Sequence, residues 1–139
     1  MKKIVMLLVL LVFFLTGCSS RIPHIEDYSW VMTSVQSGED GQAVAYGESG
    51  SSTLDTAKKI DLYCRAADGE LTLTDSTNQK TYTGTYEVYR SDPESMTYRV
   101  TIEGQDGLAV VGMTTFHDKS QAPTFIINMG EYAINFSAA

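Results

Sequence analysis

Cysteine, histidine and proline are scarce in this chain: 139 residues contain 2 cysteines, 2 histidines and 3 prolines. His24 and His117 stand apart, with no cysteine or paired acidic residue at motif spacing, so the sequence specifies no metal centre and implies no cofactor. The nucleophile elbow, the phosphate-cradling glycine loop and the dinucleotide fingerprint are all missing, which leaves no catalytic residues to name and no sequence ground for an enzyme. Positive charge is also short, with 10 Lys+Arg against 17 Asp+Glu. An acidic balance argues against nucleic acid as a partner and against adhesion to anionic lipid by charge alone. Finally, no stretch carries a long amphipathic helical period.

What is present begins at the N-terminus. Lys2 and Lys3 precede an apolar run from Ile4 to Leu15, the length of a secretory h-region and short for a transmembrane helix. The run ends in Leu15-Thr16-Gly17-Cys18, which resembles the lipobox of bacterial lipoproteins. The resemblance implies a signal peptide over 1–17 and lipidation at Cys18, the first residue of the mature protein. It places the product on the extracytoplasmic face of a membrane, held by palmitate-type acyl chains. Two or more such chains give stable attachment where one does not. The mature chain is then 122 residues, a length that suits one domain, and loss of Lys2 and Lys3 takes the formal charge from −7 to −9. Only Cys64 remains as a thiol, so no intramolecular disulfide forms. In Ile60-Asp61-Leu62-Tyr63-Cys64 it is in phase with Ile60 and Leu62 and reads as a small buried hydrophobe.

Residues 18–27 read as a lipidated tether. Ser19, Ser20 and Pro23 disfavour regular structure, and nothing in the segment is periodic. From Tyr28 the character changes to short segments of alternating apolar and polar residues, punctuated by Gly, Asp, Asn and Pro, as in antiparallel strands joined by turns. The alternation predicts strands at 28–36, 42–47, 59–65, 70–75, 80–90, 96–103, 108–116, 124–129 and 131–137. Asp68-Gly69 is a hairpin signal, Gly104-Gln105-Asp106-Gly107 another, Asp92-Pro93 breaks a ladder, and Gly130 marks a reversal. Such short links join sequential antiparallel neighbours, giving a meander from about Lys59 onward. Residues 48–58 form the one longer connection. Leu54 to Lys58 suits a single helical turn there, and a loop of this length is a natural place for binding.

The fold class expected for 28–139 is therefore all-β: a small antiparallel meander of about eight strands closed into an up-and-down barrel, with a two-layer β-sandwich as the alternative. Closure is favoured because it satisfies both edges of the sheet. Gly47, Gly84 and Gly112 are candidate points of tight coiling. An early strand with a lone tryptophan, Ser29-Trp30-Val31-Met32, followed by a meander, resembles the lipocalin-like barrels of small bacterial lipoproteins. The lipocalin glycine two residues before the tryptophan is Tyr28 here. The resemblance implies that Trp30 closes one barrel end.

Eight tyrosines are many for this length. Tyr82, Tyr86 and Tyr98 fall on one strand face, and with Trp30 they either fill the barrel or line a cavity for a small apolar ligand. Thr72, Thr74, Thr81, Thr83, Thr85, Thr97, Thr101, Thr114 and Thr115 are expected on the outer face, through strand propensity or as a flat partner surface. His117 beside Asp118 reads as a solvated turn rather than half of an acid–base pair. The expected function is a non-catalytic ligand-binding or interaction module of the cell envelope, anchored through Cys18, with a small molecule, a wall component or an envelope protein as partner. The alternative is a protein inhibitor of a hydrolase such as lysozyme. Tyr63-Cys64 followed by Asp68-Gly69 resembles the cysteine-plus-turn segment of anchored lysozyme inhibitors, whose disulfide needs a second cysteine that this mature chain lacks.

Overall fold

A computed structural model describes residues 21–139. Cys18, the signal peptide and the first part of the tether lie outside them. Ten strands follow one short 3-10 turn (Ile25–Asp27): β1 (Trp30–Ser37), β2 (Ala43–Tyr46), β3 (Lys58–Lys59), β4 (Leu62–Ala67), β5 (Glu70–Asp75), β6 (Lys80–Ser91), β7 (Ser95–Ile102), β8 (Gln105–Thr115), β9 (Gln121–Met129) and β10 (Tyr132–Ala138). Strands β4 to β10 form an uninterrupted antiparallel meander, and β1 closes it by pairing with β10 on one side and β4 on the other. The result is a closed eight-stranded antiparallel barrel, with β2 and β3 outside the ring. Among the described residues no helix is long and apolar enough to cross a membrane.

Alternation accounts for the barrel wall. In β4 every second residue is buried, Leu62, Cys64 and Ala66, and in β5 the buried set is Leu71, Leu73 and Asp75. Across β7, β8 and β9 the inward rows Met96–Tyr98–Val100–Ile102, Ala109–Val111 and Phe125–Ile127 continue the same core. Closure is uneven. The β1–β10 seam runs the length of both strands, whereas β1 meets β4 only at Trp30↔Cys64 and Val31↔Tyr63. Beyond that point Ser34, Val35 and Gln36 turn their edge to β2 instead. β3 then pairs with β2 in parallel and presents Lys58 and Lys59 at the free edge. Charge on an exposed edge discourages pairing with another chain.

Two turns show how the connections form. Asp68 and Gly69 have φ of 52° and 81°, both left-handed, as a two-residue type I′ hairpin requires. The β7–β8 turn also uses two left-handed residues, but they are Glu103 and Gly104, so Gln105, Asp106 and Gly107 belong to β8 and not to the turn. The helical turn expected at Leu54 to Lys58 does not form. Lys58 is taken into β3, and a simple turn closed by the Ala57 amide donating to the Leu54 carbonyl (3.1 Å) precedes it.

The barrel has two unlike ends. At one lie the β5–β6, β7–β8 and β9–β10 connections and the β1–β2 loop; this is the turn end. At the other, β5 stops pairing at Glu70↔Thr85 while β6 continues to Ser91, so β6 to β9 stand as a taller wall beside the short β4–β5 hairpin. Ile25–Asp27 packs against β4 on the low side and caps the interior; this is the plugged end. Residues 21–27, read from sequence as part of a tether without regular structure, are thus partly built into the domain. Their periodicity is invisible because a single turn carries one buried residue, Ile25, and no repeat.

Candidate functional site

Trp30, Tyr82, Tyr86 and Tyr98 all face the barrel interior, as the alternation predicts, and each makes a packing contact there. Trp30 is fully buried at the plugged end, its ring 5.3 Å from that of Phe125, which stacks in turn on Phe136 at 5.0 Å. The indole N–H donates to the Ile25 carbonyl at 2.8 Å. Tyr98 is also buried, and its hydroxyl accepts the Ile25 amide hydrogen at 3.2 Å. Both main-chain polar groups of the plug residue are therefore satisfied by interior aromatics, as burial demands. Tyr86 stands edge-on to Tyr98 at 5.8 Å and donates its hydroxyl to the Glu26 carboxylate. Tyr82 is half-buried against the same core, opposite Leu73. Of the residues expected to fill the barrel or to line a cavity, Trp30, Tyr86 and Tyr98 are engaged with the plug, while Tyr82 packs on the core away from it.

Burial sets the ionisation of these groups. It pushes the Tyr86 hydroxyl up to about 12, with the bond to Glu26 adding in the same direction, because a neighbouring carboxylate resists a second negative charge. The Tyr98 hydroxyl is raised by burial as well. Cys64, with no exposure, has its thiol pushed up to about 12 by desolvation alone and is the inert core residue read from its strand phase. At the β8–β9 turn the Asp118 carboxylate accepts from the Ser120 amide (2.9 Å) and hydroxyl (2.5 Å), and these bonds hold its carboxyl below the usual range. Asp118 is thus engaged in stabilising its own turn, not paired with His117. Among the described residues no three His, Cys, Asp or Glu side chains converge as metal ligands would.

Open concave surface lies on the outer face instead. A groove of about 740 Å³ runs over β6, β7 and β8, floored by Thr85, Glu87, Arg99, Thr101, Asp106 and Leu108. Gly84 helps to shape it. A Cβ there would sit 2.3 Å from the Thr101 carbonyl oxygen, an impossible approach, so only glycine lets β6 coil this closely over β7. At its centre the Arg99 guanidinium is 4.0 Å from Glu87 and lies 4.5 Å from the centre of the Tyr89 ring. Thr101 donates to Asp106 at 2.7 Å. Arg99 and Glu87 are both mostly exposed, and such a pair contributes roughly 0–1 kcal/mol. Arg99 is therefore held loosely and is free to exchange partners.

The sequence reading placed Thr85 and Thr101 on the outer face and put Glu87 and Arg99 in the same alternation, yet it did not single out the groove. The Val88/Arg90 bulge that brings Tyr89 to Arg99 has no local signature. Of the threonines expected on the outer face, two depart: Thr97 is buried between its cross-strand neighbours Arg90 and Val110, and Thr115 falls in the inner row of Ala109, Val111 and Met113, because strict alternation cannot place both Thr114 and Thr115 outside. The 48–58 connection, expected to carry binding, lies on the far side of the ring from the groove. The chain matches no family model, no curated protein and no solved structure.

Proposed function

We propose that this protein is a lipid-anchored lipoprotein of the extracytoplasmic face, whose barrel is a non-catalytic interaction module that binds through its outer surface. The observation that carries the reading is the order Lys2-Lys3, apolar run, Leu15-Thr16-Gly17-Cys18, followed within a few residues by a segment docked onto a folded barrel. That order suits a head held close to a lipid surface. The burial of Trp30 and Tyr98 against the plug favours recognition outside the barrel over carriage of a small apolar ligand within it. The β6–β8 groove combines a loosely held cation, two carboxylates, hydroxyls and one aromatic ring, a set suited to a polar envelope component or an acidic protein segment.

Two measurements test this. Cys18→Ala should abolish acyl labelling and move the product out of the membrane fraction; unchanged attachment defeats the anchor. Full-length protein captured from envelope extract should retain a partner that Arg99→Glu loses, whereas equal capture by both proteins removes the groove from the reading.

A further inference from the structure

Eight large hydrophobic side chains are exposed among the described residues, and they are unevenly placed. Five of them, Tyr28, Val88, Tyr89, Met113 and Phe116, belong to the plugged end or the tall wall beside it. Tyr28 immediately precedes β1 there, and Phe116 immediately follows β8. Val88 pairs with Tyr98 and so shares the face that covers the plug, yet it is 59% exposed because β6 overshoots the β4–β5 hairpin. Met113 pairs with Pro123 and borders a second hollow of about 290 Å³, shared with Ile22, Pro23 and Pro93. Of the other three, Tyr132 lies at the turn end, with Glu131 beside it and Glu39, Asp40 and Glu103 in the neighbouring turns, Tyr63 lies one residue inside the same end of β4, and Leu108 floors the outer groove.

The chain itself indicates what covers this rim. Arg21 and Ile22 run along the plugged end, and Cys18 precedes Arg21 by three residues. At about 3.8 Å per Cα step, the acylated sulfur-bearing residue is tethered within roughly 11 Å of that end. Any lipid surface holding those acyl chains is thus brought against the apolar rim and away from the turn end. Tyrosine suits this boundary, with an apolar ring and a polar tip. Charge at the same end leans acidic, with Glu26, Asp27, Asp68, Asp92, Glu94 and Asp118 against Arg21, Arg90 and Lys119. The contact therefore gains nothing from anionic lipid and is suited to zwitterionic headgroups.

We infer that the plugged end is a membrane-contact surface: its apolar rim rests on a zwitterionic phospholipid interface and orients the barrel, with the turn end pointing away. The inference rests on the anchored-lipoprotein reading, and the acyl chains supply the affinity while the rim supplies the orientation.

The test uses full-length protein purified from membranes and reconstituted into phosphatidylcholine vesicles. Intact mass first reports acylation of Cys18. Single-cysteine replacements Phe116→Cys at the plugged end and Tyr132→Cys at the turn end then receive an environment-sensitive fluorophore, since Cys64 is buried. Brominated phosphatidylcholine should quench the label at 116 roughly twofold or more relative to that at 132. Hydrogen exchange on the unsubstituted protein should agree, with vesicle-dependent protection at 86–95 and 113–121 and none at 130–132. Equal quenching on acylated protein overturns the orientation while leaving the anchor intact. A shifted but unquenched label at 116 indicates contact with a second copy and also overturns it. Unacylated Cys18 overturns the anchoring reading, and this inference with it.

Discussion

The two ends of the barrel are closed by different physics. At the turn end, the chain reversals are local, with single hydrogen bonds such as the Gly38 amide to the Glu131 carbonyl (2.7 Å) linking neighbouring turns. Glu103 and Gly104 reverse the chain in two left-handed residues, Gly130 does so with φ of 58°, and the Asp75 carboxylate accepts from the Asn78 amide (2.9 Å) and side-chain nitrogen (2.7 Å) to hold the β5–β6 turn. Each reversal joins residues only a few positions apart. At the plugged end, local reversals at Asp68-Gly69 and Asp118–Ser120 are joined by tertiary closure. Ile25 bonds Trp30 through its carbonyl and Tyr98, 73 positions away, through its amide; the Ala139 amide reaches the Ser29 carbonyl at 2.8 Å. Local closure depends on backbone strain at single residues, whereas tertiary closure depends on many buried atoms holding one another. The plugged end should therefore be the more costly to disturb.

The largest expected effect is at Trp30. Replacing it with alanine removes a fully buried ring that touches Phe125 and holds the plug, and buried tryptophan truncations cost about 3–5 kcal/mol. Urea unfolding of Trp30→Ala should show that loss. A change below 1 kcal/mol would mean the plugged end contributes little and would erase the contrast. Gly104→Ala examines the other end. A Cβ there meets nothing within 4 Å, so the only cost is the left-handed φ of 78°, about 1–2 kcal/mol. If unfolding shows Gly104→Ala to be as damaging as Trp30→Ala, local strain matters as much as core packing and the two ends are not different in kind.

The same contrast explains what was legible in the sequence. Alternation located every strand of the ring to within a few residues, because each strand buries one face and solvates the other. Asp68-Gly69 and Gly130 disclosed their turns because left-handed φ selects residue types. The β7–β8 turn was displaced in the reading: Glu103 gives no such signal, while Asp106-Gly107 gives a false one. The plug was missed because Ile25 stands alone in a stretch with Ser19, Ser20 and Pro23, and its value comes from partners far along the chain. The groove was missed for a related reason. Its residues are ordinary outward positions, and the Gly84 coil and the Val88/Arg90 bulge that gather them are properties of the sheet. The split edge of β1, passing from β4 to β2 at Thr33, is likewise set by barrel geometry.

The smallest expected effect sharpens the comparison through pH. The Tyr86 hydroxyl has an ordinary value of 10.0 and is pushed up to about 12 in the folded barrel by burial and by its bond to Glu26. Below pH 10 both states keep the proton and the contribution to stability is whole. Between about 10 and 12 the unfolded chain releases its proton while the folded chain retains it, so the folded state binds more protons and stability falls as pH rises. Cys64, raised from 9.0 to about 12, and Tyr98, raised by burial, act with the same sign and start the decline slightly earlier. Tyr86→Phe removes one of these groups. Its stability should run parallel to the original protein up to about pH 10 and then fall less steeply. Matching slopes above pH 10 for the two proteins, measured by urea midpoints at fixed ionic strength, would show that the Tyr86–Glu26 contact is not maintained in solution, and that the plug is held by Trp30 and Tyr98 alone.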